Sequence, residues 1–179
     1  MRSLKGVVMA FGLVWIFGPA ALSAVVELRG RAMVPSPTGN TVQVTVKVTI
    51  KSFSTAEEVE KIRSLVAAGD SAAVNKALKE MDKAMLQYIG GGGVNTKYGL
   101  AAEVPTEKGS RILLVTYARS LPGYSSTEFS VAEFRMAPDT EGEGRLHEQA
   151  TVKFLPGGGF DLDKFFGEPL LIVNVRRAK

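Results

Sequence analysis

Residues 41–51 read TVQVTVKVTIK, with Val42, Val44, Val46, Val48 and Ile50 at alternate positions and Thr, Gln and Lys between them. Alternation this regular, in β-branched residues, specifies a strand with one dry face and one wet face. The dry face has to be covered, so the chain needs more sheet or a helical layer to fold at all. Residues 25–34 read as a weaker strand before it, and PSPTGN between the two is turn chemistry, which predicts a hairpin.

At Ser54 the period changes. Ser54 with Glu57 three residues on is a capping-box pattern, and Val59, Ile62, Leu65 and Val66 recur at helical spacing up to Gly69. Asp70 or Ser71 can cap a second helix, with Val74, Leu78, Met81 and Met85 on one face and Lys76, Lys79 and Lys83 opposite. The short link makes the pair a helical hairpin.

After the run of glycines at 90–93, Tyr98, Leu100, Ala102 and Val104 alternate with Lys97, Gly99, Ala101 and Glu103. Residues 111–118, RILLVTYA, are almost continuously apolar, as in a central strand covered on both faces. Further strands are predicted at 129–136, 145–155, 160–165 and 170–176, and nothing repeats. The fold class is α+β: a mainly antiparallel sheet, as a wrapped sheet or small barrel with a sandwich as second choice, with the helical hairpin inserted after the second strand.

Residues 1–24 begin with Arg2 and Lys5, continue through an apolar run from Val7 to Phe17, and end in Gly18-Pro19 and small residues. That is the order of a secretory signal peptide, and cleavage after Ser23 places Ala21 and Ser23 at the small positions. The rival, an uncleaved anchor, is close to the roughly 20 residues a span needs, but Pro19 would break its helix. The expected organisation is a signal peptide at 1–23 and one domain at 24–179, exported to the periplasm or the extracellular space, with no membrane span after cleavage. The chain has no cysteine, so neither a lipid anchor nor disulfides are available to it.

Losing Arg2 and Lys5 lowers the formal charge from +4 to about +2, which is no footprint for nucleic acid. The basic tail VRRAK reads as a solvated end. Trp15, the only tryptophan, leaves with the signal peptide, which counts against modules that stack on sugars or bases.

Candidate chemistry is sparse. Around the glycines, a phosphate loop aligned on Lys97 would have Thr96 in place of its second glycine and Tyr98 in place of its Ser or Thr. Phosphate loops also run from strand into helix, whereas here a helix is expected to precede and a strand to follow. Residues 139–144, DTEGEG, half match a calcium loop, but Ala150 stands where the bidentate glutamate belongs. His147, the only histidine, falls on the polar side of its strand with Gln149, Thr151 and Lys153 and is expected to be solvated. With no cysteine it builds no typical zinc site, so neither metal nor cofactor is expected. Asp161 and Asp163 share a strand face and could in principle do acid and base work, but read as the wet side of an edge hairpin.

The segments RILLVTYAR, GEGRLHEQATVKF, GGFDLDKF and EPLLIVNVRR resemble a group of small exported bacterial proteins of unassigned function, over roughly residues 54–177. The resemblance implies export and a single domain, and carries no catalytic or binding residues.

Two functions are therefore expected in order. The first is a non-enzymatic exported protein that binds a small apolar ligand or a protein partner of the cell envelope. Its site would lie between Val74, Leu78, Met81 and Met85 as a wall and Val44, Val46 and Val48 as a floor. The alternative is a secreted hydrolase whose carboxylates, drawn from Asp161, Asp163, Glu103 and Glu133, meet only in the fold.

Overall fold

A computed structural model describes residues 25–35, 39–90, 95–117, 128–138 and 141–178. Residues 1–24, with the expected signal peptide, lie outside the described residues, as do Gly91 to Gly93 and Asp139. Among the described residues the order is β1 (Val26–Pro35), β2 (Thr41–Ile50), α1 (Ala56–Ala67), α2 (Ser71–Met81), β3 (Ala84–Ile89), β4 (Thr96–Tyr98) and β5 (Leu100–Thr106). Then come β6 (Gly109–Tyr117), β7 (Phe129–Met136), β8 (Gly142–Leu155), β9 (Gly159–Phe166) and β10 (Leu170–Arg177). The fold is α+β and sheet-dominated.

All ten strands belong to one antiparallel sheet, ordered β4-β3-β2-β1-β10-β8-β7-β6-β5, with β9 paired to β8 beyond the end of β10. It is one sheet rather than the two facing sheets of a sandwich. Its two ends, β4 and β5, are halves of one stretch of chain separated by Gly99 alone. The sheet therefore wraps until its ends adjoin, although among the described residues no continuous ladder closes it.

Gly99 explains a departure from the expected pattern. In a regular strand Tyr98 and Leu100 would share a face. Here Tyr98 joins the cluster that contains Val44, Val46, Val48, Ile112, Leu114 and Phe134, while Leu100 joins the one that contains Val74, Leu78, Leu113 and Val115. The chain swaps faces at the glycine, where a Cβ would lie 2.3 Å from the Leu78 carbonyl oxygen.

The first cluster lines the concave side of the wrapped sheet and the second its outer side, under the helices. Strand β6 serves both, with Ile112 and Leu114 facing in and Leu113 and Val115 facing out, as its unbroken apolar run predicts. Helix α2 lies against β4 and β6, and α1 against β9. On β2 the outer positions are Thr45, Lys47 and Thr49, which offer a helix nothing apolar to cover.

The helix boundaries differ from expectation in two places. The N-cap of α1 is Thr55, in a capping box with Glu58, one residue later than predicted. Ser54 is committed elsewhere, because its amide donates to the Ala101 carbonyl and its Oγ accepts from the Ala101 amide. Asp70 does cap α2, accepting from the Ala73 amide. That helix stops at Met81, where Asp82 takes a left-handed conformation and pairs with Lys51 at 2.5 Å. Met85 is consequently on β3, opposite Thr49 and Lys97, and not on the helix face. Lys83, expected on the exposed face, is buried against Glu58 at 2.7 Å.

Candidate functional site

The expected ligand wall and floor are not brought together. Val74 and Leu78 are buried, and with Met81 they pack outside the sheet against Leu113, Val115, Phe129 and Val131. Val44, Val46 and Val48 point to the concave side with Ala84, Leu86 and Phe134. The helix stripe is thus spent on core packing, the ordinary use of such a stripe.

The remaining carboxylates are each engaged with an arginine or a hydroxyl. Glu103 of β5 pairs with Arg177 of β10, and Asp163 accepts from the Thr151 hydroxyl at 3.2 Å. Asp161 pairs with Arg111 at 2.6 Å, so the two aspartates have separate partners. The basic tail is not a free end, since Arg176 and Arg177 belong to β10 and pair with Glu141 and Glu103. In the acidic turn, Glu141 and Glu143 are taken up by Arg176 and Arg145. Among the described residues no group of three or more His, Asp or Glu side chains could hold a metal ion. The glycine run follows a strand, β3, and not a helix.

Chemistry concentrates instead on the outer face of β6, β7 and β8. Register places Arg111 opposite Arg135, Leu113 opposite Glu133 opposite Arg145, and Val115 opposite Val131 opposite His147. Along this face the sheet passes from an apolar end beneath the helices to an arginine end. Like charges directly across a ladder repel, so Arg111 and Arg135 need compensation. Glu133 supplies it. Its carboxylate is 3% exposed, accepts from Arg111 Nε at 2.6 Å and from Arg135 Nε at 3.3 Å. Burial works to raise this carboxyl, but the two guanidiniums outweigh it and hold it below the usual range. A carboxyl held ionised in this way cannot act as a general acid near neutral pH.

Above Glu133 the arginine end opens into a groove of about 570 Å³ lined by Thr106, Lys108, Ser110, Arg111, Arg135, Met136, Ala137, Asp161 and Leu162. Its volume is on the scale of small-molecule sites, roughly 300–1,000 Å³. Strand β9, folding back along β8, brings Asp161 to the rim. The sequence reading counted Asp161 and Glu133 among scattered acids and missed the arginines. The available signal was FSVAEFRM, in which Glu133 and Arg135 continue the alternation begun by Phe129 and Val131 and so share one face of β7, with Glu133 buried and Arg135 exposed at its end.

His147 is also overturned as a solvated residue. It is 3% exposed, its ring centroid lies 4.5 Å from that of Phe165, and its Nε2 is buried without a partner. Its cover includes the ring of Phe165, on the strand β9 that returns antiparallel to β8. Burial lowers its pKa; Glu133 opposes this and Arg145 adds to it. With the folded pKa depressed, the unfolded chain takes up the proton first, so stability is full above the unfolded value of about 6.5 and declines as pH falls below it. Stability should therefore fall between pH 7 and pH 5, by at most about 1.4 kcal/mol per pH unit from this one proton, and the melting temperature with it. His147→Phe should flatten that segment of the profile, and an unchanged slope would show the histidine is not its source.

Among the described residues no helix is long and apolar enough to cross a membrane. No protein-family model, curated protein or solved structure matches this chain.

Proposed function

We propose that the chain is an exported, non-catalytic protein that binds a small ligand, and that its site is the groove at the arginine end of the outer sheet face. The observation that carries this reading is the buried Glu133, which holds two cross-strand arginines at the floor of an open groove of ligand size. A ligand is favoured over an envelope protein partner by that concavity. Binding is favoured over hydrolysis because every candidate carboxylate is tied to an arginine or a hydroxyl, and the two that meet, Glu133 and Asp161, are both bound to Arg111. Export is supported by the order of residues 1–24 and by the resemblance to small exported bacterial proteins; the mature domain would be residues 24–179.

Thermal-shift screening against compounds of mixed charge should yield stabilising ligands whose effect disappears in Ala137→Trp, which fills the groove. Ligands indifferent to that change would place the site elsewhere. Turnover of chromogenic ester or glycoside substrates that is lost in Glu133→Gln would replace binding by catalysis. Intact-mass measurement of the exported protein should give an N-terminus at Ala24 or Val25, and recovery of the full-length chain from membranes would overturn cleavage.

A further inference from the structure

The groove has a definite charge pattern. Its lining carries Lys108, Arg111, Arg135 and Asp161; Asp161 pairs with Arg111, and Glu133 beneath the groove pairs with both arginines. The two acids are not equivalent. Glu133 is 3% exposed and beneath the guanidiniums, so a solute cannot replace it. Asp161 stands at the rim with its side chain 43% exposed, and holds Arg111 through Nη1 alone. Its Oδ1 also accepts from the Leu162 amide at 2.7 Å, a partner it keeps when the arginine lets go. Arg135 spends only Nε on Glu133, at 3.3 Å, and its side chain is 56% exposed. Among the described residues its two terminal nitrogens have no carboxylate partner.

Building on the binding function, we infer that the groove takes a small organic dianion, which bridges Arg111 and Arg135 and displaces Asp161 from Arg111. Guanidiniums recognise carboxylate and phosphate oxygens through paired, charge-assisted hydrogen bonds, and Glu133 orients both arginines for this before the ligand arrives. Lys108 contributes a third positive charge. Leu162 gives the body of the ligand an apolar wall. Asp161 acts as an internal competitor, occupying Arg111 while the groove is empty and weakening every anion by the same amount.

Calorimetric titration of the mature protein with succinate and with inorganic phosphate tests this, with acetate and tetramethylammonium as charge controls. The dianions should bind more tightly than acetate, and tetramethylammonium should not bind. Comparison of succinate with phosphate then decides between carboxylate and phosphoryl chemistry. Arg135→Gln should weaken the dianion at least tenfold with little change in melting temperature. Asp161→Asn should strengthen it severalfold, a gain that damage to the fold would not produce. Dianion affinities unchanged in both variants would overturn the inference. So would a groove that binds only neutral or cationic compounds in a manner blocked by Ala137→Trp, although the binding function itself would survive that result. Absence of binding by compounds of every charge would end both.

Discussion

Gly99→Ala should lower stability by about 3 kcal/mol or more, or about 6–12 °C in melting temperature for a domain of this size. The added methyl would sit 2.3 Å from the Leu78 carbonyl oxygen and 2.5 Å from its Cα. Those atoms are helix backbone and cannot rotate aside, so α2 must move off the sheet as a unit. Movement there pulls Val74, Ala77 and Leu78 away from Leu100, Leu113 and Val115. Gly167→Ala is the control. It has a positive φ of 76° but open space around it, and should cost only about 1–2 kcal/mol of backbone strain. Equal losses in the two variants, read from thermal melts, would remove the special role of the helix contact at Gly99.

Glu133→Ala should cost about 3–5 kcal/mol, because it leaves Arg111 and Arg135 facing each other across β6 and β7 with the charge beneath them gone. The acid dependence has the same origin. A carboxyl held below its usual range contributes stability that is complete above about pH 4.5 and is lost as pH falls through the folded value. Glu141→Ala, which removes the exposed partner of Arg176, should cost no more than about 1 kcal/mol. Urea midpoints for the two variants would measure the difference, and similar shifts would mean that Glu133 is solvated like any surface acid.

Strands such as β2 and β6 were legible in the sequence because each obeys a single rule along its whole length: one dry face in the first, two in the second. Met85 was misplaced because Val74, Leu78, Met81 and Met85 fit helical spacing while Ala84, Leu86 and Tyr88 fit a strand over the same residues. Asp82, turning left-handed, decides between the two periods, and its partners Lys51 and Lys97 are far away in sequence. Tyr98 and Leu100 misled for a related reason, since a swap of face at one glycine leaves the alternation intact on either side. His147 looked solvated because its neighbours along β8 are polar; the strand that covers it comes back through a turn after Leu155. The groove was the least visible feature. Arg111, Glu133, Arg135 and Asp161 come from three strands and acquire meaning only through register.

The position of β1 in the sheet, between β2 and β10, has a consequence for the order in which the molecule can be assembled. Its pairing with β2 is a local hairpin, available as soon as both strands exist. Its other edge is hydrogen-bonded to the last strand, Leu28 lying opposite Arg177. Until that final segment arrives, the first hairpin carries a bare edge beside the valine-rich TVQVTVKVTIK, a combination prone to pair with other chains. Contacts so distant in sequence also slow folding, towards the millisecond-to-second range of sheet proteins. The chain therefore passes through an interval in which its most β-prone segment is complete but unprotected, and loss of β10 would make that interval permanent.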